Sequence, residues 1–381
     1  MMREQLVLSL PMRTFTDDQL TRALHGPGPS PVAPTVLQAL GRPVLGHLDP
    51  TFLQIMDDLS QGLRQLFRTA NRMTFPVSGT GSAGMEAAVV NLIEPGDTIV
   101  IGVNGVFGGR MAEEARRAGA KVEIVEAEWG GALPLGELAA RASAIDAKVV
   151  GLVHAETSTG VEQPLAELRS LLGDTPLLLV DSVTGLGGSQ LEVDAWGIDV
   201  CYSGSQKCLS VPPGLAPITF SDRAVAAVQA RETPVQSWYL DTTLLSAYWD
   251  DSAGSRAYHH TAPISMIYAL HEGVRLILDE GLEAGWGRHQ NVGTYLQAGL
   301  LERGFDMVAP VDVRLSQLTA TLLPSDIDDA TARNRLLFEH GIEIGGGLGA
   351  LAGKAWRIGM MGYGATIDAA DRVLGAIDAI R

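Results

Sequence analysis

The sequence predicts an α/β protein: a mostly parallel sheet sandwiched by helices, followed by a smaller C-terminal α+β domain. Three observations lead there. Between Thr74 and about Phe220, short apolar runs alternate with stretches of helical periodicity, the rhythm of repeated βαβ units. Two of those runs lead into residues suited to chemistry, Asp181 and Lys207, and ligands of open α/β sheets bind at the carboxyl ends of strands. After about residue 265 the rhythm changes to a long helix, then to helix–strand units joined by polar turns.

In chain order, residues 1–24 read as a polar–apolar arm draped over a partner. Gly26-Pro27-Gly28-Pro29-Ser30-Pro31 is too rich in Pro and Gly for regular structure, and is either a linker or the wall of a site. Apolar residues at helical spacing (Phe52, Ile55, Met56, Leu59, Leu63, Leu66) predict a helix over 51–70. Strands are expected at 98–101, 122–125, 149–153, 177–180 and 199–202. Helices are expected at 83–93, 109–119, 133–144 and about 263–280. The expected division is an arm at 1–24, a large domain at 25–265 and a small domain at 266–381.

A chain of 381 residues can bury a core large enough for two domains. With 46% hydrophobic and 19% charged residues it suits a folded enzyme. A net charge of −16 argues against nucleic acid and anionic membrane surfaces as partners. No apolar run approaches the roughly 18 residues of a membrane span. The N-terminus lacks the pattern of a signal peptide and the C-terminus that of a peroxisomal address. Cys201 and Cys208 cannot build a disulfide framework and lack zinc-site spacing, so a cytoplasmic setting and no metal are expected.

The chemistry centres on Asp199-Val200-Cys201-Tyr202-Ser203-Gly204-Ser205-Gln206-Lys207. The chain has four lysines, and of these Lys207 alone follows a strand and stands among small residues. A desolvated lysine amine can form a Schiff base with an aldehyde. Asp181 ends an apolar run 26 residues earlier, so one further strand-plus-connection unit puts both at one sheet edge. A carboxylate that holds a proton on a pyridine nitrogen and a lysine that holds the same ring by its aldehyde are what pyridoxal phosphate requires. Gly79-Thr80-Gly81-Ser82-Ala83-Gly84 matches the dinucleotide fingerprint, but the strand after it runs into Asn104-Gly105 without the ribose-binding acid, and Asp97 lies at the wrong end. A phosphate loop is the better reading, with Ser82 capping the helix that follows. Thr157, in His154-Ala155-Glu156-Thr157-Ser158-Thr159-Gly160, can reach a ring substituent. Phe107 is either core or a stacking surface. The pair His259-His260 would point apart on a helix and make no metal site. Arg357, among apolar neighbours, needs an anion, either a substrate carboxylate or a structural partner. Few fixed charges lie near Gly79–Gly84 in the sequence, and the site motifs contain no second basic residue besides Arg357 and Lys207.

The motifs spread along the whole chain (GPGPS at 26–30, LGHLDP at 45–50, SGTGSAGMEA at 78–87, EPGD at 94–97, HAETSTG at 154–160, LLLVDSVTGLGG at 177–188, YSGSQK at 202–207, YHHTAP at 258–263, GGGLG with WRIG at 345–359) resemble those of class V aminotransferases of pyridoxal-phosphate fold type I, in particular the alanine–glyoxylate (serine–pyruvate) group. The resemblance implies a seven-stranded, mostly parallel sheet. It implies pyridoxal 5′-phosphate on Lys207, with Asp181 at the pyridine nitrogen and Thr80, Gly81, Ser82 and Gln206 on the phosphate. Thr157 and Val183 contact the ring, and Phe107 stands where animal members stack a tryptophan. Tyr258 and Thr261 reach the phosphate of a neighbouring subunit in a homodimer, and Arg357 takes the substrate carboxylate. The implied reaction moves the amino group of alanine, or serine, to glyoxylate, with small amino acids and 2-oxo acids as substrates. A ureidoglycine–glyoxylate transaminase is the alternative, disfavoured by the expectation that its members lack the tyrosine at 258. A cysteine desulfurase would want a reactive cysteine on a mobile loop. A nicotinamide dehydrogenase and a non-catalytic relative fit less well.

Overall fold

The computed structural model describes residues 14–250 and 256–381, so most of the expected arm lies outside the described residues. The rest of the arm leads through Ala23–Leu24, which pairs in parallel with Ile342–Glu343.

The central sheet has seven strands: β1 (Met73–Ser78), β2 (Thr98–Val103), β3 (Lys121–Glu126), β4 (Val149–Val153), β5 (Leu177–Asp181), β6 (Val200–Tyr202) and β7 (Leu215–Phe220). Their spatial order is β1-β7-β6-β5-β4-β2-β3. Strands β6, β5, β4, β2 and β3 are parallel, whereas β7 runs antiparallel to both β1 and β6. The five expected strands are present. Strands β1 and β7 escaped individual recognition because each contains a proline, which argues against a strand in sequence. In the fold Pro76 and Pro217 face one another across the β1–β7 ladder. Neither can donate there, so the pair occupies a rung that needs no N–H. Pro217 still accepts from Ser203 N–H on the other side, at 2.8 Å.

Helices α1 (Pro34–Leu40), α2 (Pro50–Phe67), α3 (Gly81–Leu92) and α4 (Val106–Arg117) precede or cross over the sheet. Helix α2 starts on Asp49, whose carboxylate accepts from Thr51 and Phe52 N–H, and it stops at left-handed Arg68. Strands β4 and β5 are buried along their whole length, as central strands covered on both faces must be. The first apolar core runs from Ala33 to Leu282 and takes in helix α5 (Ile264–Glu280). This helix straddles the expected boundary at 265/266, and its buried face packs on the first core. A second core, from Val292 to Ile380, lies between helices α6 (Leu282–Glu302), α7 (Asp329–His340) and α8 (Ile367–Ile380) and a four-stranded sheet. That sheet is built from β8 (Asp306–Met307), β9 (Leu318–Leu322), β10 (Gly345–Gly346) and β11 (Ala355–Gly359), in the order β8-β9-β11-β10. Among the described residues no helix is long and apolar enough to cross a membrane.

Candidate active site

Strands β5 and β6 are neighbours in the sheet, with Asp181 opposite Tyr202. Asp181 and Lys207 therefore open onto one space, a cavity of about 250 Å³. The start of α3 (Thr80, Gly81, Ser82) forms one end of it. Phe107 and Arg110 of α4, Thr157, Val183 and Gln206 contribute further walls. Nine of the residues singled out in the sequence thus meet: Thr80, Gly81, Ser82, Phe107, Thr157, Asp181, Val183, Gln206 and Lys207.

Asp181 is 2% exposed. Its Oδ1 accepts from Val183 N–H at 2.8 Å and its Oδ2 from the Tyr202 hydroxyl at 2.8 Å. Burial nevertheless dominates and pushes its pKa up to about 6. A carboxylate held this way, two bonds fixing its plane and no cation paired with it among the described residues, is prepared to receive one. Lys207 is 8% exposed, and burial brings its pKa down to about 8, with the charge of Arg357 acting in the same direction. Its ammonium donates to the Pro27 carbonyl. Ser30 Oγ donates to the Lys207 carbonyl at 2.6 Å and Ser30 N–H to that of Gln206 at 2.9 Å. The Gly/Pro-rich segment is thus bonded to the site's lysine and its neighbour rather than serving as a linker. Gly28 is required in it: its φ is +108°, and a Cβ there would come within 2.7 Å of Lys207 Cδ.

Phe107 is held by its backbone. Glu156, fully buried, accepts from Phe107 N–H on Oε2 at 3.0 Å, and its Oε1 takes the Ser158 N–H and hydroxyl at 2.9 and 2.6 Å. Ser158 Oγ in turn accepts from Val106 N–H at 2.9 Å. Gly105 leaves room for this bracket, since a Cβ would lie 2.4 Å from Ser158 Oγ.

Several details differ from the sequence reading. The N-cap of α3 is Thr80, whose side chain makes no capping bond, and Ser82 lies inside the first turn. Ala83 and Gly84 N–H turn back to the Thr80 carbonyl at 2.8 and 3.3 Å, which leaves the Gly81 and Ser82 N–H groups for an anion. His259 and His260 lie in a loop rather than a helix, with their Nδ1 atoms 2.8 Å apart, and His260 Nε2 is 2.9 Å from Ser78 Oγ. Burial takes the His260 pKa down to about 4. No cluster of metal-ligating side chains exists among the described residues. Arg110 supplies a cation that the site motifs lack. It sits one helical turn beyond Phe107, and that i, i+3 spacing was the available signal. Tyr202 reads as an apolar strand residue, yet its hydroxyl completes the Asp181 shell.

Arg357, in β11, is 8% exposed and is not a wall of this cavity. Its Nε donates to the Gly346 carbonyl at 2.8 Å, and among the described residues it has no ion pair. Burial lowers its pKa, and the charge of Glu156 acts the other way. Tyr258 is 60% exposed and Thr261 is also exposed; within one chain neither reaches the cavity.

The residues fit pyridoxal 5′-phosphate. A helix start with an adjacent cation suits a phosphate, a buried acid lies at one wall, and a desolvated lysine lies at another. Gln206 Oε1 is buried without a partner among the described residues, and with the amide turned its NH2 would donate to a phosphate oxygen from the same place. Comparison with known proteins agrees. The aminotransferase class-V family model matches residues 35–361. A solved alanine–glyoxylate aminotransferase from Nostoc sp. superposes with a TM-score of 0.91 at 45% identity, covering 97% of each chain. The alanine–glyoxylate aminotransferase of Oryctolagus cuniculus is 40% identical over 93% of this chain and 91% of its own. The (S)-ureidoglycine–glyoxylate transaminase of Bacillus subtilis is 38% identical over 94% of this chain and 90% of its own.

Proposed function

The chain belongs to the class-V aminotransferases, and from that we propose that it transfers the amino group of a small neutral amino acid, alanine before serine, to glyoxylate, giving glycine and pyruvate or hydroxypyruvate. Class-V aminotransferases depend on pyridoxal 5′-phosphate. The observation that carries the reading is the single cavity shared by buried Lys207 and buried Asp181, closed at one end by the start of α3.

When bound, the cofactor supplies an aldehyde that carries the amino group and a ring that takes up the electron pair left at Cα. Lys207, with a pKa near 8, is partly neutral at physiological pH, so its Nζ can take the Cα proton and return it elsewhere. Asp181 Oδ1 and Oδ2, fixed by Val183 and Tyr202, hold a negative charge where a pyridine N–H needs one. Thr80, Gly81, Ser82 and Gln206 bind the phosphate. Thr157 and Val183 would bound the ring, and Phe107 would offer it an aromatic face. Arg357, free of ion pairs among the described residues, takes the carboxylate common to donor and acceptor. Tyr258 and Thr261, exposed on one chain, serve the phosphate of a second copy in a homodimer, and we place the enzyme in the cytoplasm.

A panel of alanine, serine, aspartate, glutamate and (S)-ureidoglycine, each with glyoxylate and with pyruvate, tests the reading. The expected order of kcat/KM is alanine, then serine, with glyoxylate preferred. Preference for ureidoglycine would select the activity named for the Bacillus subtilis relative, and efficient use of glutamate would overturn the proposal.

A further inference from the structure

We propose that Arg110 is a cofactor-binding residue: it neutralises the phosphate end of the cavity, steadies the covering Phe107 ring, and by being so committed leaves a donor's side-chain carboxylate without a partner. This rests on the cofactor reading above. Three observations carry it. The guanidinium donates through Nη1 to Ser82 Oγ, at 3.0 Å, in the first turn of α3. Its carbon lies 4.9 Å from the centroid of the Phe107 ring, within the range of a cation–π contact. It lines the cavity, where Lys207 is the sole other cation among the lining residues.

The guanidinium has no ion pair among the described residues. Two acids lie one turn on along its own helix: Glu113, which pairs with Arg117 at 2.9 Å, and Glu114. Burial and the neighbouring Glu86 push the Glu114 carboxyl up to about 7, and among the described residues its buried Oε2 has no partner. With Glu113 taken by Arg117 and no acid within ion-pair distance of Arg110 among the described residues, its charge stays uncancelled. A phosphate dianion on the α3 amides would meet that charge beside Ser82, where a planar fork of donors suits its oxygens. The same arginine holds the ring face by stacking, so phosphate binding and ring cover are coupled through one side chain. With its single positive charge offset by the phosphate dianion, it leaves no net charge for the distal carboxylate of aspartate or glutamate, and such a charge would be buried unpaired.

The test compares dissociation constants of pyridoxal 5′-phosphate and of pyridoxal for the cofactor-stripped full chain, as wild type, Arg110→Gln and Arg110→Lys. Arg110→Gln should bind the phosphorylated form roughly tenfold or more weakly and pyridoxal within about twofold of wild type. Arg110→Lys should recover most of the loss, because it restores the charge. Inorganic phosphate should compete with the cofactor more weakly in Arg110→Gln than in wild type. Equal weakening of both ligands would reduce Arg110 to a prop for Phe107 and overturn the phosphate role, as would unchanged affinity for the phosphorylated form. A wild-type chain that binds neither ligand would instead sink the cofactor reading itself.

Discussion

Replacing Asp181 with asparagine should make the cofactor-free protein more stable at pH 8 while nearly abolishing transamination. The carboxyl titrates at about 6 instead of its ordinary 3.8 because burial penalises its charged form. A difference of roughly 2 pKa units corresponds to about 3 kcal/mol against the ionised acid. From about pH 4 to 6 the folded chain keeps a proton that the unfolded chain has released. Stability therefore falls as pH rises through that window, and the full cost is present above it. Asparagine removes the charge at nearly the same volume. Its oxygen can still accept from Val183 N–H, and its amide can donate to Tyr202 if that hydroxyl turns into an acceptor. Urea unfolding of cofactor-free wild type and Asp181→Asn, at one protein concentration, should show the variant about 1–3 kcal/mol more stable at pH 8. The gain should vanish near pH 4. In single-turnover reaction of the loaded enzyme with alanine, the variant should lose roughly 10³-fold in rate, about 4 kcal/mol of barrier, because a neutral amide holds the ring proton poorly. A variant less stable than wild type at pH 8, or one with an unchanged half-reaction, would refute the reasoning.

Arg357→Lys should lower kcat/KM for every donor and acceptor together, by roughly 10- to 100-fold, because both half-reactions use one carboxylate contact that a point charge copies badly; steady-state kinetics on alanine, serine and glyoxylate would show it, and a loss confined to one substrate would contradict it. Tyr258→Phe combined with Thr261→Val should weaken binding of the phosphorylated cofactor roughly tenfold and leave pyridoxal binding unchanged; a wild-type monomer with full activity and cofactor retention would contradict the shared site.

The parallel strands and the pairing of Asp181 with Lys207 were legible in the sequence because buried strands of βαβ units are short unbroken apolar runs, and the residues just beyond them line the reactive edge. Less visible was whatever depends on two distant segments meeting. Strands β1 and β7 hid behind Pro76 and Pro217, which become harmless only when they face each other. The bracket that holds Phe107 is built by Glu156 and Ser158, 49 and 52 residues from the amides they bind. Tyr202 looks apolar until Asp181 gives its hydroxyl a partner. Arg110 lies outside every recognised motif and enters the site only because α4 turns it toward Ser82. The position of Thr80 rather than Ser82 at the helix start is a boundary shift of two residues, which sequence periodicity does not resolve.

The claim on which the account depends is that Lys207 carries the cofactor. Its lowered pKa, about 8, makes roughly a tenth of the amine neutral at pH 7, against a few parts in ten thousand for a lysine at 10.5. Wild type loaded with pyridoxal 5′-phosphate, reduced with borohydride, digested and mapped by peptide mass should carry a single cofactor adduct on the peptide containing Lys207, and Lys207→Ala should carry none. An adduct on Lys121, Lys148 or Lys354 in place of Lys207, or transamination persisting in Lys207→Ala, would contradict it.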